Sequence, residues 1–152
     1  MPFEFQLEGL LRVRRLFEQQ AQQRLDESMM RLRGLERNLQ DAVAWNAKTA
    51  GIAASAQSLP AAELIYIDNV MRQVRRAIER LRIELQEEER RAIELRAAYL
   101  KARRERRMVS ALRDDARRRY ELEAERREQD EVDEIFLSNL SHAHGSAASS
   151  DP

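Results

Sequence analysis

LIYIDNVMRQVRRAIERLRIELQEEERRAIELRAAYLKA, residues 64–102, decides the fold. Within it Leu64, Ile67, Met71, Val74, Ile78, Leu81, Leu85, Ala92, Leu95, Tyr99 and Ala102 recur at alternating steps of three and four, interrupted only by Glu88. An apolar period of 3.5 with charges between is the signature of a coiled coil. One stripe of Leu and Ile on a long helix cannot bury itself, so a second helix has to cover it.

Upstream, the spacing predicts that covering helix from about residue 7 to 50. Leu11, Leu25, Leu32, Leu39 and Asn46 hold one heptad position; Leu7, Ala21, Ser28, Leu35, Ala42 and Thr49 hold the other. Before Leu25 the pattern loosens, because Arg14 and Glu18 stand in the seam. Residues 51–60, GIAASAQSLP, read as the tip of a helical hairpin. Gly51 suits a helix C-cap, and Ser58 with Pro60 suits the opening of the next helix. That second helix is predicted over about 61–137, followed by a small, polar, aperiodic tail, 138–152, expected to be disordered. Antiparallel pairing with Leu39 opposite Val74, Leu35 opposite Ile78 and Leu32 opposite Leu81 keeps the seams in contact, and it also sets Asn46 against Ile67 and Ala42 against Met71. Past about Arg107 the second helix then has no partner. The expected architecture is all-α: one domain over 3–137, an antiparallel two-helix coiled-coil hairpin with unequal helices and a disordered C-terminal tail.

Composition narrows the function. The chain balances 27 basic against 27 acidic residues, without the basic excess usual in nucleic-acid binders. It has no cysteine, hence neither a disulfide framework nor a thiolate metal site. No apolar run approaches the roughly 20 residues of a membrane span. The start, MPFEFQLEG, carries an acid and no basic region, unlike a signal peptide. Phosphate loops, nucleophile–base sets and ligand-spaced histidines are missing, so no catalytic, metal or cofactor site is expected. His142 and His144 form an H-x-H in the tail, where solvation outweighs metal binding as an explanation.

Three features stand out from a solvated coiled-coil surface. Flanking the seam near the tip, Asn38, Trp45, Val70 and Ala77 replace the charged Arg24, Arg31, Glu84, Arg91 and Glu105 found elsewhere in that register. They make either a partner-binding apolar patch or a site where Trp45 folds over the seam beside Ile67 and Tyr66. Next, Phe3, Phe5, Leu7, Leu10, Leu11, Leu16 and Phe17 exceed what a two-helix seam can hide. By the register above they lie near Tyr99–Met108, as a local cap or a binding surface. Last come the Arg clusters KARRERR at 101–107 and RDDARRR at 113–119, either a docking surface or a salt-bridged solvated helix balanced by Glu121–Glu134.

In order and spacing, FEFQLEGLLRVRRLFEQQAQQRL, the long first helix with Trp45 near its end, the short Ser/Pro loop, the heptad second helix and the closing RREQDEVDEI resemble the FliJ family of flagellar export proteins. The likeness covers Phe3 to about Ile135. It implies a non-enzymatic stalk of the type III export apparatus, cytoplasmic and peripheral at the inner face of the inner membrane. The end bearing both termini would enter the pore of a hexameric, FliI-like export ATPase, through Phe3, Phe5, Leu7, Leu10, Arg103, Arg106, Arg107 and Arg113. The tip half would meet a FlhA-like export gate protein through Asn38, Ala42, Trp45, Thr49, Val70, Val74, Ala77 and Leu81. Export chaperones are left open as further partners, and so is the choice between flagellum and injectisome. Two other readings compete: a generic tether formed by a parallel homodimer, and a nucleic-acid-associated coiled coil using the Arg clusters.

Overall fold

The computed structural model describes residues 2–148, with side chains as far as His142. Two helices account for nearly all of it: α1, Glu8–Ser55, and α2, Ala61–Ala148. Contacts divide the chain into two compact units, Arg14–Arg104 and Met1–Val13 with Glu105–Pro152.

Within Arg14–Arg104, α1 and α2 run antiparallel. Ser28 hydrogen-bonds Glu88, 60 residues away in sequence. Side by side in a parallel dimer, those residues would stand roughly 90 Å apart at about 1.5 Å per residue. The parallel tether is therefore not this fold. Burial follows the heptad seam closely: Ser28, Met71 and Ile78 are buried, and Leu25, Leu32, Leu35, Leu39, Ala42, Asn46 and Thr49 are half-buried. Opposite them Ile67, Val74, Leu81, Leu85, Ala92, Leu95, Tyr99 and Ala102 are half-buried too. Only one stripe per helix is sheltered, as expected where each helix has a single neighbour.

The register differs from the expected one. Glu88 meets both Ser28 and Arg31. One groove is lined by Leu35 and Asn38 together with Glu84 and Glu87, and another by Leu39 together with Leu85. These contacts put Leu39 opposite Leu81 and Leu35 opposite Leu85, so α1 is displaced by one heptad, about two turns, from the pairing of Leu39 with Val74. The displacement is invisible to periodicity, because moving a heptad pattern by seven residues superposes it on itself.

The tip also differs. α1 continues through Gly51, which has no positive φ, and ends at Ser55, whose hydroxyl donates to the Ile52 carbonyl at 3.0 Å. A single glycine costs a helix only about 1 kcal/mol relative to alanine, and the following Ile-Ala-Ala supports continuation. Residues 56–60 make the connection, and the Pro60 carbonyl accepts the first bonds of α2 from Glu63 and Leu64.

In the second unit, Leu11 and Val109 are buried, and the rings of Phe3 and Tyr120 lie 5.6 Å apart at 53°. Phe3, Glu4, Phe5 and Glu8 line a cleft with Arg113 and Arg117. The N-terminal residues thus lie along Val109–Tyr120, not Tyr99–Met108, and cover α2 well past Arg107. Both corrections have the same origin as the register displacement. Beyond Tyr120, every residue to His142 is exposed except Ala124, which is half-buried. The tail expected to be disordered spans 138–152: residues 138–142 continue α2, its side chains from 143 on lie outside those described, and 149–152 lie outside the described residues altogether.

Candidate functional site: partner-binding surfaces

A heptad helix has two flanks beside its seam, and in an antiparallel pair the same flank of both helices faces one way. On one flank, α1 presents Arg24, Arg31, Asn38, Trp45 and Ile52, and α2 presents Val70, Ala77, Glu84 and Arg91. The flank changes character along its length. At its middle it is polar, with Asn38 sharing a groove with Arg31, Glu84, Glu87 and Glu88. Toward the connection it turns apolar. Trp45 is 45% exposed and Ile52, one heptad on, is 58% exposed. At the observed register the flank residues of α2 nearest in level are Ala77 for Trp45 and Val70 for Ile52, both half-buried. Ile67 is level with Ala53, about two turns from Trp45, so Trp45 does not fold over the seam beside it.

Of the eight residues expected at the tip, Asn38 and Trp45 are exposed, and Val70 and Ala77 are half-buried beside them. Ala42, Thr49, Val74 and Leu81 are half-buried in the seam, the positions that the heptad pattern gives them. Sequence reasoning missed Ile52, since ending α1 at Gly51 removed it from the helix face. Ile65 and Tyr66 are both strongly exposed in the first turns of α2.

The hairpin core carries a polar layer. The Ser28 hydroxyl donates to Glu88 Oε1 at 2.5 Å, and Arg31 Nε lies 3.4 Å from the same oxygen. The Glu88 side chain is only 12% exposed. A buried carboxylate needs such partners, and a seam position that demands them favours some pairings over others. Nearer the connection, Asn46 Oδ1 is buried with no hydrogen-bond partner.

In the other unit, Phe3 and Phe5 are half-buried, and Leu7 and Leu10 are exposed. Arg106 and Arg113 are half-buried and Arg107 is exposed; Arg103 falls in the Arg14–Arg104 unit and is half-buried. Arg117 pairs with Glu121 at 2.9 Å, Arg118 pairs with Asp115, and Arg113 lies 3.7 Å from Asp114. Exposed pairs of this kind contribute little to stability, about 0–1 kcal/mol each. This stretch of α2 is thus largely solvated, with its arginines drawn onto neighbouring acids.

Among the described residues no three His, Cys, Asp or Glu side chains converge on a metal position. His142 is exposed, and the side chain of His144 lies outside those described. No helix is long and apolar enough to cross a membrane among the described residues. The surfaces offer flat apolar and charged contact, the chemistry of protein binding. In comparisons with known proteins, the family model described as "Flagellar FliJ protein" matches residues 3–145. No curated protein and no solved structure matches.

Proposed function

Because the chain belongs to the flagellar FliJ family, a component of the flagellar protein-export apparatus, we propose that it is a non-enzymatic stalk linking the hexameric export ATPase to the export gate. The observation that carries this reading is the apolar strip Trp45–Ile52, which a two-helix hairpin leaves open to water near its connection. An exposed Trp flanked by small residues is a frequent interface anchor, and here it would dock on the gate. The other unit, with exposed Leu7, Leu10 and Arg107 and the cleft between Phe5 and Arg113, would seat in the ATPase pore. The protein would then work in the cytoplasm, held at the membrane through its partners alone. Its contribution to export would be mechanical coupling.

The test is co-purification with the ATPase hexamer and, separately, with the gate's cytoplasmic domain, together with ATPase assays with and without the chain. Binding to both and stimulated hydrolysis are expected. Trp45→Ala should lose the gate and keep the ATPase. A chain that binds neither, or a Trp45→Ala variant that binds the gate as well as the parent, overturns the reading.

A further inference from the structure

We propose that the later part of α2 carries a second interaction face, separate from the hairpin seam, and that its occupant is the same face of a second copy of this chain, running antiparallel. The proposal does not rest on the export partners named above.

From residue 105 onward the seam positions of α2 are Arg106, Val109, Arg113, Ala116 and Tyr120, all buried or half-buried as far as Tyr120. Roughly 100° round the same helix runs another series. Its apolar members are Met108, Leu112, Leu122, Phe136 and Leu140, and Asp115, Arg119, Arg126, Gln129 and Asp133 fill the places between. The steps alternate between four and three without a break, the spacing that keeps one stripe turned toward a neighbouring helix. Every member is exposed. A stripe about 48 Å long, at about 1.5 Å per residue, therefore lies uncovered by any described part of the chain.

The stripe reads alike from both ends: two apolar residues, a mainly charged middle, two apolar residues. A two-fold antiparallel pair uses that symmetry, because the same face then meets itself. Met108 comes opposite Leu140 of the other copy and Leu112 opposite its Phe136, once at each end.

Charge selects the direction. Residues 113–119, RDDARRR, hold four basic and two acidic side chains, whereas residues 128–134, EQDEVDE, hold five acidic and no basic ones. Antiparallel alignment brings these two stretches face to face, with Arg118 level with Asp130 and Arg119 one turn from Asp133. Parallel alignment would stack the five acids of one copy on the five of the other. Two contacts oppose the antiparallel pair. Asp115 falls level with Asp133, although Arg118 already pairs with Asp115. Near the two-fold centre Glu123 faces Glu125, beside Arg126 and Arg127. With apolar layers only toward the ends, the dimer is weak, its dissociation constant on the order of 10–100 µM. At about 1 µM chain the monomer predominates, so unfolding measured there is unaffected.

Sedimentation equilibrium of the full chain at low salt, from about 1 to 500 µM, is the test. The mass should rise from 17.8 kDa toward twice that value. Leu112→Ala/Phe136→Ala should weaken the association by about tenfold or more, since both apolar ends are cut back. The direction is read from two charge reversals at exposed positions, Arg118→Glu/Arg119→Glu and Asp130→Arg/Asp133→Arg. Each alone should stay monomeric where the parent is dimeric. An equimolar mixture should dimerise, because each reversed stretch then meets its complement in the other variant. Far-UV circular dichroism matching the parent's establishes that each variant is folded. A parent that remains monomeric throughout, reversal variants that each dimerise like the parent, or a mixture that stays monomeric overturns the proposal.

Discussion

Ile78 and Ile93 lie on the same helix, two turns either side of Leu85, and they are 6% and 70% exposed. The same contrast separates two stretches of α2. Met71–Ala102 presents its apolar residues in heptad phase and is sheltered along one stripe. Glu121–His142 carries Leu122, Val132, Ile135, Phe136, Leu137 and Leu140, all exposed. Those residues are no less apolar. All but Leu137 have swung off the phase that ends at Tyr120, and Leu137, which keeps it, is exposed as well. Phase together with a facing stretch of chain, more than hydrophobicity, decides what this molecule buries.

Substitutions break or sharpen that contrast in a definite order. Ile78→Ala should lower unfolding free energy by about 2–4 kcal/mol, the usual range for opening a cavity at a large buried aliphatic, read from the urea midpoint. Next comes Ser28→Ala, which removes the hydroxyl donor to Glu88 while leaving Arg31 in place. It should cost about 1–2 kcal/mol in the same measurement. Removing the Phe3 ring with Phe3→Ala should cost about 1 kcal/mol, since one ring contact is lost at a half-buried site. Smallest are Ile93→Ala and Phe136→Ala, each expected to leave the midpoint within about 0.5 kcal/mol of the parent. An Ile93→Ala variant as damaged as Ile78→Ala would mean that the chain buries that face against a partner in solution.

Much of the fold was legible in the residues. From Leu25 to Thr49 and from Ile67 to Ala102 the positions read as seam are the sheltered ones, Glu88 included, because a single apolar stripe at period 3.5 leaves little choice of face. The register was not legible, since sliding the seam by seven residues preserves the pattern. What reveals it are contacts between the helices, Arg31 beside Glu88 and Leu39 in one groove with Leu85, which neither helix shows when read alone. The end of α1 was misplaced because Gly51 carries a strong stop signal, which the helix-forming run Ile52–Ala54 overrides. For the candidate surfaces, Trp45 could be found from the missing charges on its flank, whereas Ile52 depended on knowing that α1 goes on. Ala42, Thr49, Val74 and Leu81 enter the partner surface only through the family resemblance, and the same residues are half-buried seam positions.

Trp45 is the chain's one tryptophan, and it stands half open to water at the strip beside the connection. The protein therefore carries a single natural fluorophore at that spot. Its emission colour and its accessibility to a dissolved quencher register the wetness of one face alone, undiluted by signal from any other indole, so whatever settles on that face announces itself without a label.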